Sequence, residues 1–289
     1  MERIEEQAFA KINLYLDVTG KRPDGYHDLV TVMQSVSLCD TLTLTRTAGE
    51  GFALDTGDAL PADDSNLVTR AANAYFAAAG TRFGVSVRLE KHIPMQAGLG
   101  GGSADAAATL RALNTLDNNR FTQEQLCEIG ARIGADVPFC VVGGTRLCRG
   151  IGERMEHAEN NLGATLVLAI GAEGVSTPQA FRALDARYGD FREGRDEPSL
   201  DALLCAMRAG DAKAAAPHFQ NLFETVIEPL RPAVVRWKEL LRANGALAAM
   251  MSGSGPAVWG LFADRAAAED AAQVLRASGA DAYVCAWQA

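Results

Sequence analysis

In KINLYLDV, Lys11 to Val18, the apolar Ile12, Leu14, Leu16 and Val18 alternate with Lys11, Asn13, Tyr15 and Asp17. A strand here buries one face and presents Lys11 and Asn13 together on the other. A lysine so placed either blunts a strand edge or serves a charged partner. Asp136, in GADVPFC, is either a cap or turn residue or a partly buried carboxylate suited to general base work, with a lysine nearby to hold it ionised. Lys11 is the candidate for that lysine. Tyr26 and His27, in DGYHDL, are either surface side chains or a pair that stacks on and hydrogen-bonds a base or sugar.

The stretch PMQAGLGGGSADAAATLRALN, Pro94 to Asn114, places four glycines in the five positions from Gly98 to Gly102, ahead of an alanine-rich helical pattern. Glycine costs backbone entropy on folding, so such a run marks positive φ or a close approach of the backbone. It fails the dinucleotide fingerprint, because Ser103 stands where the last glycine belongs, and it fails the Walker A pattern, because no lysine follows Gly102. Two readings stay open. One is a flexible turn; the other is a phosphate cradle made by a strand ending at Pro94, a loop of unobstructed N–H groups and a helix capped by Ser103. Asp105, in the first turn of that helix, suits a phosphate only if it points away or meets a cation. A second glycine loop, SGSGP at Ser252 to Pro256, reads as a hairpin between two apolar segments.

The elements that must position these residues mix strands and helices. Strand-like alternation recurs at 30–38, 41–45 and 85–89, and helical patterns cover 66–79, 103–114 and 122–133, the last opened by Thr122 and Gln125 at capping-box spacing. After GERMEHAENNLGA the chain starts again with an apolar strand, TLVLAI, and then Thr177-Pro178 as N-cap and first helical residue of a helix through Arg187. This restart places a domain boundary near residue 160. A polar loop from Tyr188 to Pro198, helices near 200–208, 229–243 and 264–277, and a final strand near Tyr283 complete an α+β chain.

At 289 residues with 48% hydrophobic and 22% charged residues, the composition is that of a soluble globular protein of one large or two ordinary domains. No uninterrupted apolar run of about 18 residues appears, and MERIEEQAFAK lacks the pattern of a signal peptide. A cytoplasmic protein is expected. The six cysteines are scattered without a C-x-x-C pair, which points to reduced thiols rather than a zinc site or a disulfide scaffold. The net charge of −9 argues against a sequence-independent grip on nucleic acid. It leaves room for a locally positive site that takes a small anion.

In this order, AKINLYLDVTGKRPDGYHDL, PMQAGLGGGSADAAATLRALN, GADVPFC and MMSGSGPAVWGLF resemble the four signature regions of GHMP-type small-molecule kinases, over residues 8 to about 262. KRPDGYH together with GLGGGS resembles in particular the branch acting on 4-diphosphocytidyl-2-C-methyl-D-erythritol in non-mevalonate isoprenoid synthesis. The resemblance implies a two-domain α+β fold: a ribosomal-protein-S5-like ATP-binding domain over 1–160 and a ferredoxin-like domain over 161–289. It implies transfer of the γ-phosphoryl group of ATP, with Mg²⁺, to the substrate's 2-hydroxyl. It implies a monomer or homodimer that engages neither nucleic acid nor membrane.

By motif position, the resemblance makes Asp136 the catalytic base and Lys11 its polarising partner. Pro94, Met95, Gln96, Ala97, Gly98, Leu99, Gly100, Gly101, Gly102, Ser103 and Ala104 would surround the ATP phosphates, with Asn66, Leu67 and Lys91 on the adenine side. Asn13, Tyr26, His27, Thr177 and Phe181 would hold the cytidine and erythritol parts. The wider superfamily carries serines at the positions of Gly101 and Gly102, one of which can ligand magnesium, so no protein ligand for Mg²⁺ is assigned. Ala104 likewise stands where a serine is common. Two rivals remain: a GHMP kinase for homoserine, mevalonate or a sugar, whose acceptor offers no base to Tyr26 and His27, and a catalytically silent ligand sensor, which could dispense with Lys11 and Asp136.

Overall fold

The alternation over 11–18 is the middle of a longer strand. In the structure, a computed structural model that describes residues 2–57, 60–171, 175–189, 191 and 199–289, β1 spans Arg3–Lys21 and β2 spans His27–Thr47. The two segments expected at 30–38 and 41–45 are one strand, because Cys39-Asp40 interrupts the apolar pattern without a glycine or proline to turn the chain. The chain divides into two compact units. Met1–Lys11, Leu38–Met95 and Gly100–Gly143 form the first; Ile12–Ser37, Gln96–Leu99 and Gly144–Ala289 form the second. They interleave in sequence because β1 and β2 each contribute to both.

The first unit continues with β3 (Phe52–Asp55), α1 (Leu67–Ala79), β4 (Gly84–Glu90), α2 (Gly101–Leu116), α3 (Gln123–Ala131) and α4 (Val137–Val142). The second half of β2 pairs antiparallel with β4, from Thr41↔Glu90 to Thr47↔Gly84, and β3 joins β4 in parallel. Leu42, Leu44, Val85 and Val87 share one core with Val68, Ala72 and Tyr75 of α1 and with Ala106, Leu110 and Leu113 of α2. Each fully buried Leu or Val contributes about 1.5–3 kcal/mol relative to exposure.

Local chemistry sets where the helices start. Asn66 caps α1 by accepting from the Val68 N–H at 2.9 Å, and Thr122 and Gln125 form the expected capping box on α3. The cap expected at Ser103 is corrected: α2 begins at Gly101, its N-cap is Gly100 with φ 69°, and no side chain caps it. The preceding strand also ends at Glu90 rather than Pro94, because Lys91 and His92 are drawn into side-chain contacts described below.

The second unit contains β5 (Thr145–Gly150), β6 (Arg154–His157), β7 (Thr165–Ile170), α5 (Thr177–Tyr188), α6 (Leu200–Ala209), α7 (Ala212–Ala215), β8 (Gln220–Asn221), α8 (Glu224–Ile227), α9 (Pro232–Ala243), β9 (Ala248–Met251), β10 (Val258–Phe262), α10 (Arg265–Ala277) and β11 (Asp281–Cys285). The first half of β2 pairs with β5, and β8 joins β1 in parallel at Tyr15↔Gln220. The last four long strands form an antiparallel sheet in the order β11-β7-β10-β9. With helices after its first and third strands in chain order, this is the split β-α-β arrangement of ferredoxin-like folds. The α+β class expected from the sequence is what the chain adopts.

The N-cap of α5 is Ser176, with Thr177 its first residue, one position earlier than the sequence suggested. Of the polar loop expected over Tyr188 to Pro198, residues 190 and 192–198 lie outside the described residues. No helix among the described residues is long and apolar enough to cross a membrane.

Candidate active site

Lys11 leaves β1 with only 5% of its surface exposed, which removes the edge-lysine reading. Asp136 occupies the N-cap position of α4 but makes no side-chain capping bond. Its carboxylate faces the lysine instead, with Lys11 Nζ 3.7 Å from Asp136 Oδ2, and its side chain is 40% exposed. A desolvated cation thus sits beside a carboxylate that is open on one side. Such a carboxylate can accept a proton from a hydroxyl brought to it.

The glycine run is packed, not loose. A Cβ on Gly100 would fall 2.9 Å from Lys11 Cγ, so the missing side chain admits the lysine stem as well as the left-handed turn. The first bond within α2 runs from the Ala104 N–H to the Gly100 carbonyl at 2.9 Å. The N–H groups of Gly101, Gly102 and Ser103 therefore have no intrahelical acceptor, and with the positive end of the helix they form an anion site. Beneath them, Cβ atoms would lie 3.0 Å from Ile93 Cγ2 and 3.4 Å from Lys91 Nζ at Gly101, and 3.2 Å from Leu67 Cδ1 at Gly102. Leu67 and Lys91, expected on the adenine side, are thus brought against the run. The Asn66 amide is spent on its cap and on the Pro61 carbonyl, 2.8 Å away.

In the second unit, Gly98 has φ 80°, and a Cβ there would stand 2.3 Å from the Ser252 carbonyl oxygen. Ser252 Oγ donates to the Gly98 carbonyl at 3.0 Å, and the Ala257 N–H donates to the Ala97 carbonyl at 2.9 Å. The SGSGP loop is the hairpin between β9 and β10 that the sequence suggested. Beyond that, it props Ala97 and Gly98. Asn221 secures the hairpin by donating Nδ2 to the carbonyls of Met251 and Gly253, each at 2.8 Å.

Asp105 meets the cation it needed. Lys91 Nζ donates to Asp105 Oδ2 at 2.7 Å and also to Asp40. Burial pushes the Asp105 carboxyl up to about 7; Lys91 opposes this, while the Asp40 charge adds to it. Burial works against the Lys91 charge, but Asp105 and Asp40 outweigh it and raise its pKa above the usual lysine value. Asp105 Oδ1 is buried without a hydrogen-bond partner.

The residues expected to hold the acceptor lie in the second unit. Tyr26 is 61% exposed, whereas His27 is only 7% exposed at the start of β2. The His27 ring stacks on Phe181, centroids 4.5 Å apart and planes 16° apart, and its Nε2 lies 2.6 Å from Asp185 Oδ1. Lys21 and His27 together hold the Asp185 carboxyl below its ordinary value, in spite of a burial effect that works the other way. Asn13 is buried and donates Nδ2 to Thr31 Oγ1 at 2.8 Å. Thr177 Oγ1 lies 3.1 Å from Ser254 Oγ.

Sequence reasoning missed Asp40, Asp185 and Asn221. Asp40 was visible only as a lone acid interrupting an apolar strand, and Asp185 as one polar residue in an amphipathic helix. Neither signal distinguishes a buried partner from a solvated face.

The description GHMP kinases N terminal domain matches residues 66–144, and GHMP kinases C terminal matches 200–281. The chain is 46% identical to the 4-diphosphocytidyl-2-C-methyl-D-erythritol kinase of Pelotomaculum thermopropionicum over 93% of its length and 92% of the relative's. It is 43% identical to the enzyme of that name from Gloeobacter violaceus over 99% of its length and 94% of the relative's. A crystal structure of 4-(cytidine 5'-diphospho)-2C-methyl-D-erythritol kinase, 35% identical, superposes with a TM-score of 0.84, covering 99% of this chain and 100% of that one. The chain therefore belongs to the GHMP kinases, ATP-dependent phosphotransferases, and within them to the 4-diphosphocytidyl-2-C-methyl-D-erythritol kinase family.

Proposed function

We propose that the chain transfers the γ-phosphoryl group of ATP to the 2-hydroxyl of 4-diphosphocytidyl-2-C-methyl-D-erythritol, in the cytoplasm, as a step in non-mevalonate isoprenoid precursor synthesis. The observation that carries this reading is the Lys11–Asp136 pair, 3.7 Å apart, with Gly100 packed against the Lys11 stem. It favours a catalyst over a silent sensor. The acceptor comes from the relatives' names together with the His27–Phe181 stack.

In this reading Asp136 takes the proton from the acceptor hydroxyl as the phosphoryl group arrives, and Lys11 steadies the negative charge at that point. Phosphoryl transfer asks chiefly for positioning and charge neutralisation. The N–H groups of Gly101 to Ser103 would supply part of both to the triphosphate, with the remainder of Pro94 to Ala104 shaping the loop. Asn66, Leu67 and Lys91 would lie on the adenine side. Asn13, Tyr26, His27, Thr177 and Phe181 would receive the acceptor, and 1–160 and 161–289 would be the two domains of the sequence.

Mg²⁺ would arrive on the nucleotide and screen the β- and γ-phosphates. It keeps several waters and takes only one or two carboxylates besides phosphate oxygens. No cluster of three metal-binding side chains is needed for that, and none occurs among the described residues; we assign no protein ligand. Coupled ADP release across candidate acceptors tests the reading. Turnover of the cytidyl substrate at least about 100-fold faster, in kcat/KM, than of mevalonate or homoserine is expected, a discrimination of about 2.7 kcal/mol. Preference for either of those acceptors would overturn it.

A further inference from the structure

We propose that Asp105 is a positioning residue for the phosphate loop that holds a proton more tightly when a triphosphate occupies the N–H groups of Gly101 to Ser103, so that ATP binding near neutral pH is accompanied by partial proton uptake at a carboxyl beneath the loop. The proposal rests on the reading of the glycine run as the ATP phosphate site.

Three charged groups lie under the start of α2. Asp40 is fully buried with both carboxyl oxygens engaged: its Oδ1 accepts from the Ile93 N–H at 2.8 Å and also from the His92 N–H, and its Oδ2 accepts from Lys91. Asp105 is 2% exposed, and only its Oδ2 is engaged, at 2.7 Å by the same ammonium. Its Oδ1 has no donor. Two carboxylates on one ammonium leave a net negative cluster, and Lys91 Nζ stands 3.4 Å from where a Gly101 side chain would begin.

An anion held on the Gly101 to Ser103 N–H groups would meet that negative cluster from above. One proton on Asp105 removes the excess charge and leaves both Lys91 bonds in place, and the neighbouring Asp40 charge favours it. The neutral cluster is then a fixed support under the loop. The charged groups that act on Asp105 are Lys91, from the segment after β4, and Asp40, from β2. On α4, the Cys140 thiol is kept protonated by burial and by Asp136, with Asp105 itself a smaller influence. On α1, Arg70 is turned to the Ile133 carbonyl and Tyr75 to Asn114 and Asp117. On α3, the acidic Glu124 is in the solvent-exposed first turn.

The sign follows from the raised value of about 7 in the free protein. A bound anion raises it further, so affinity for ATP is highest with Asp105 protonated and falls as pH rises through and above neutrality. Calorimetry of MgATP binding near pH 7.5, in two buffers of different ionisation enthalpy, counts the protons. If the bound value is about one unit higher, the wild type takes up about half a proton more than Asp105→Asn, whose amide mimics the neutral acid. The wild-type Kd then rises about 10-fold between pH 6 and pH 9 relative to that variant.

Equal proton uptake by wild type and variant would overturn the proposal. Undiminished ATP binding by Gly100→Val would instead overturn the loop assignment on which it rests. If Asp105→Asn does not fold, the ¹³C titration of the wild-type Asp105 carboxyl decides. Its midpoint is expected to rise with MgATP, and an unchanged midpoint would contradict the proposal.

Discussion

Among single side chains, His27 shows how a residue acquires a defined orientation. Phe181 fixes its plane and Asp185 fixes the edge that carries Nε2. Lys21 in turn holds the second Asp185 oxygen at 2.5 Å. A hydrogen bond to a charged group contributes about 1.5–3 kcal/mol. Asp185→Asn is therefore expected to raise KM for the cytidyl substrate about 10-fold, and to leave KM for ATP within about 2-fold. Steady-state kinetics with each substrate varied in turn checks this. Parallel increases in both constants would mean that Asp185 supports the fold generally rather than the acceptor site.

At the scale of elements, Lys11 and Asp136 owe their separation to the parts that carry them. Arg111 of α2 ties these together: it donates Nη2 to the Gln7 carbonyl of β1 at 3.0 Å and Nη1 to the Cys140 carbonyl of α4 at 2.8 Å, and it pairs with Glu6. Gln7 lies four residues before Lys11, and Cys140 four after Asp136. Arg111→Ala leaves both carbonyls without these donors; that of Gln7 is at an exposed contact and can turn to water, whereas that of Cys140 is partly buried and costs about 1–3 kcal/mol. A loss of about 1–3 kcal/mol in denaturant unfolding is expected, with kcat lowered at least about 10-fold in conditions where the variant is fully folded. A folded variant with unchanged kcat would show that the pair does not depend on this tie.

Much at this scale was legible beforehand. Alternation located β1, β2 and β4, and the Thr122–Gln125 spacing marked the start of α3, because these signals lie within a few residues of one another. The start of α2 was misjudged because a serine just after a glycine run invites a capping assignment, whereas Gly100 adopts the left-handed turn and caps the helix three residues sooner. The short β5 and β6 went unnoticed. Their pairing with β2 and with each other comes from distant residues such as Leu29 and Gly150, and no local pattern records it.

For the molecule as a whole, an acidic chain of net charge −9 binds anionic partners only by concentrating cations and N–H groups locally. Lys11 and the amino-terminal end of α2 are that concentration in the first unit. The candidate catalytic pair was legible because its members belong to motifs. The supporting carboxylates Asp40 and Asp185 were not, since burial gives them their roles and burial is a property of the assembled cores. The interleaving of the two units had no sequence signature either: β1 and β2 look uniform through the positions where they pass from one to the other.

The central claim, that Asp136 is the base of a phosphoryl transfer, is tested most directly with Asp136→Ala, by measuring single-turnover phosphorylation of the cytidyl substrate together with MgATP affinity. Loss of a general base predicts a rate at least about 100-fold lower, with Kd for ATP changed less than about 3-fold. A variant that transfers phosphate at the wild-type rate would contradict the account.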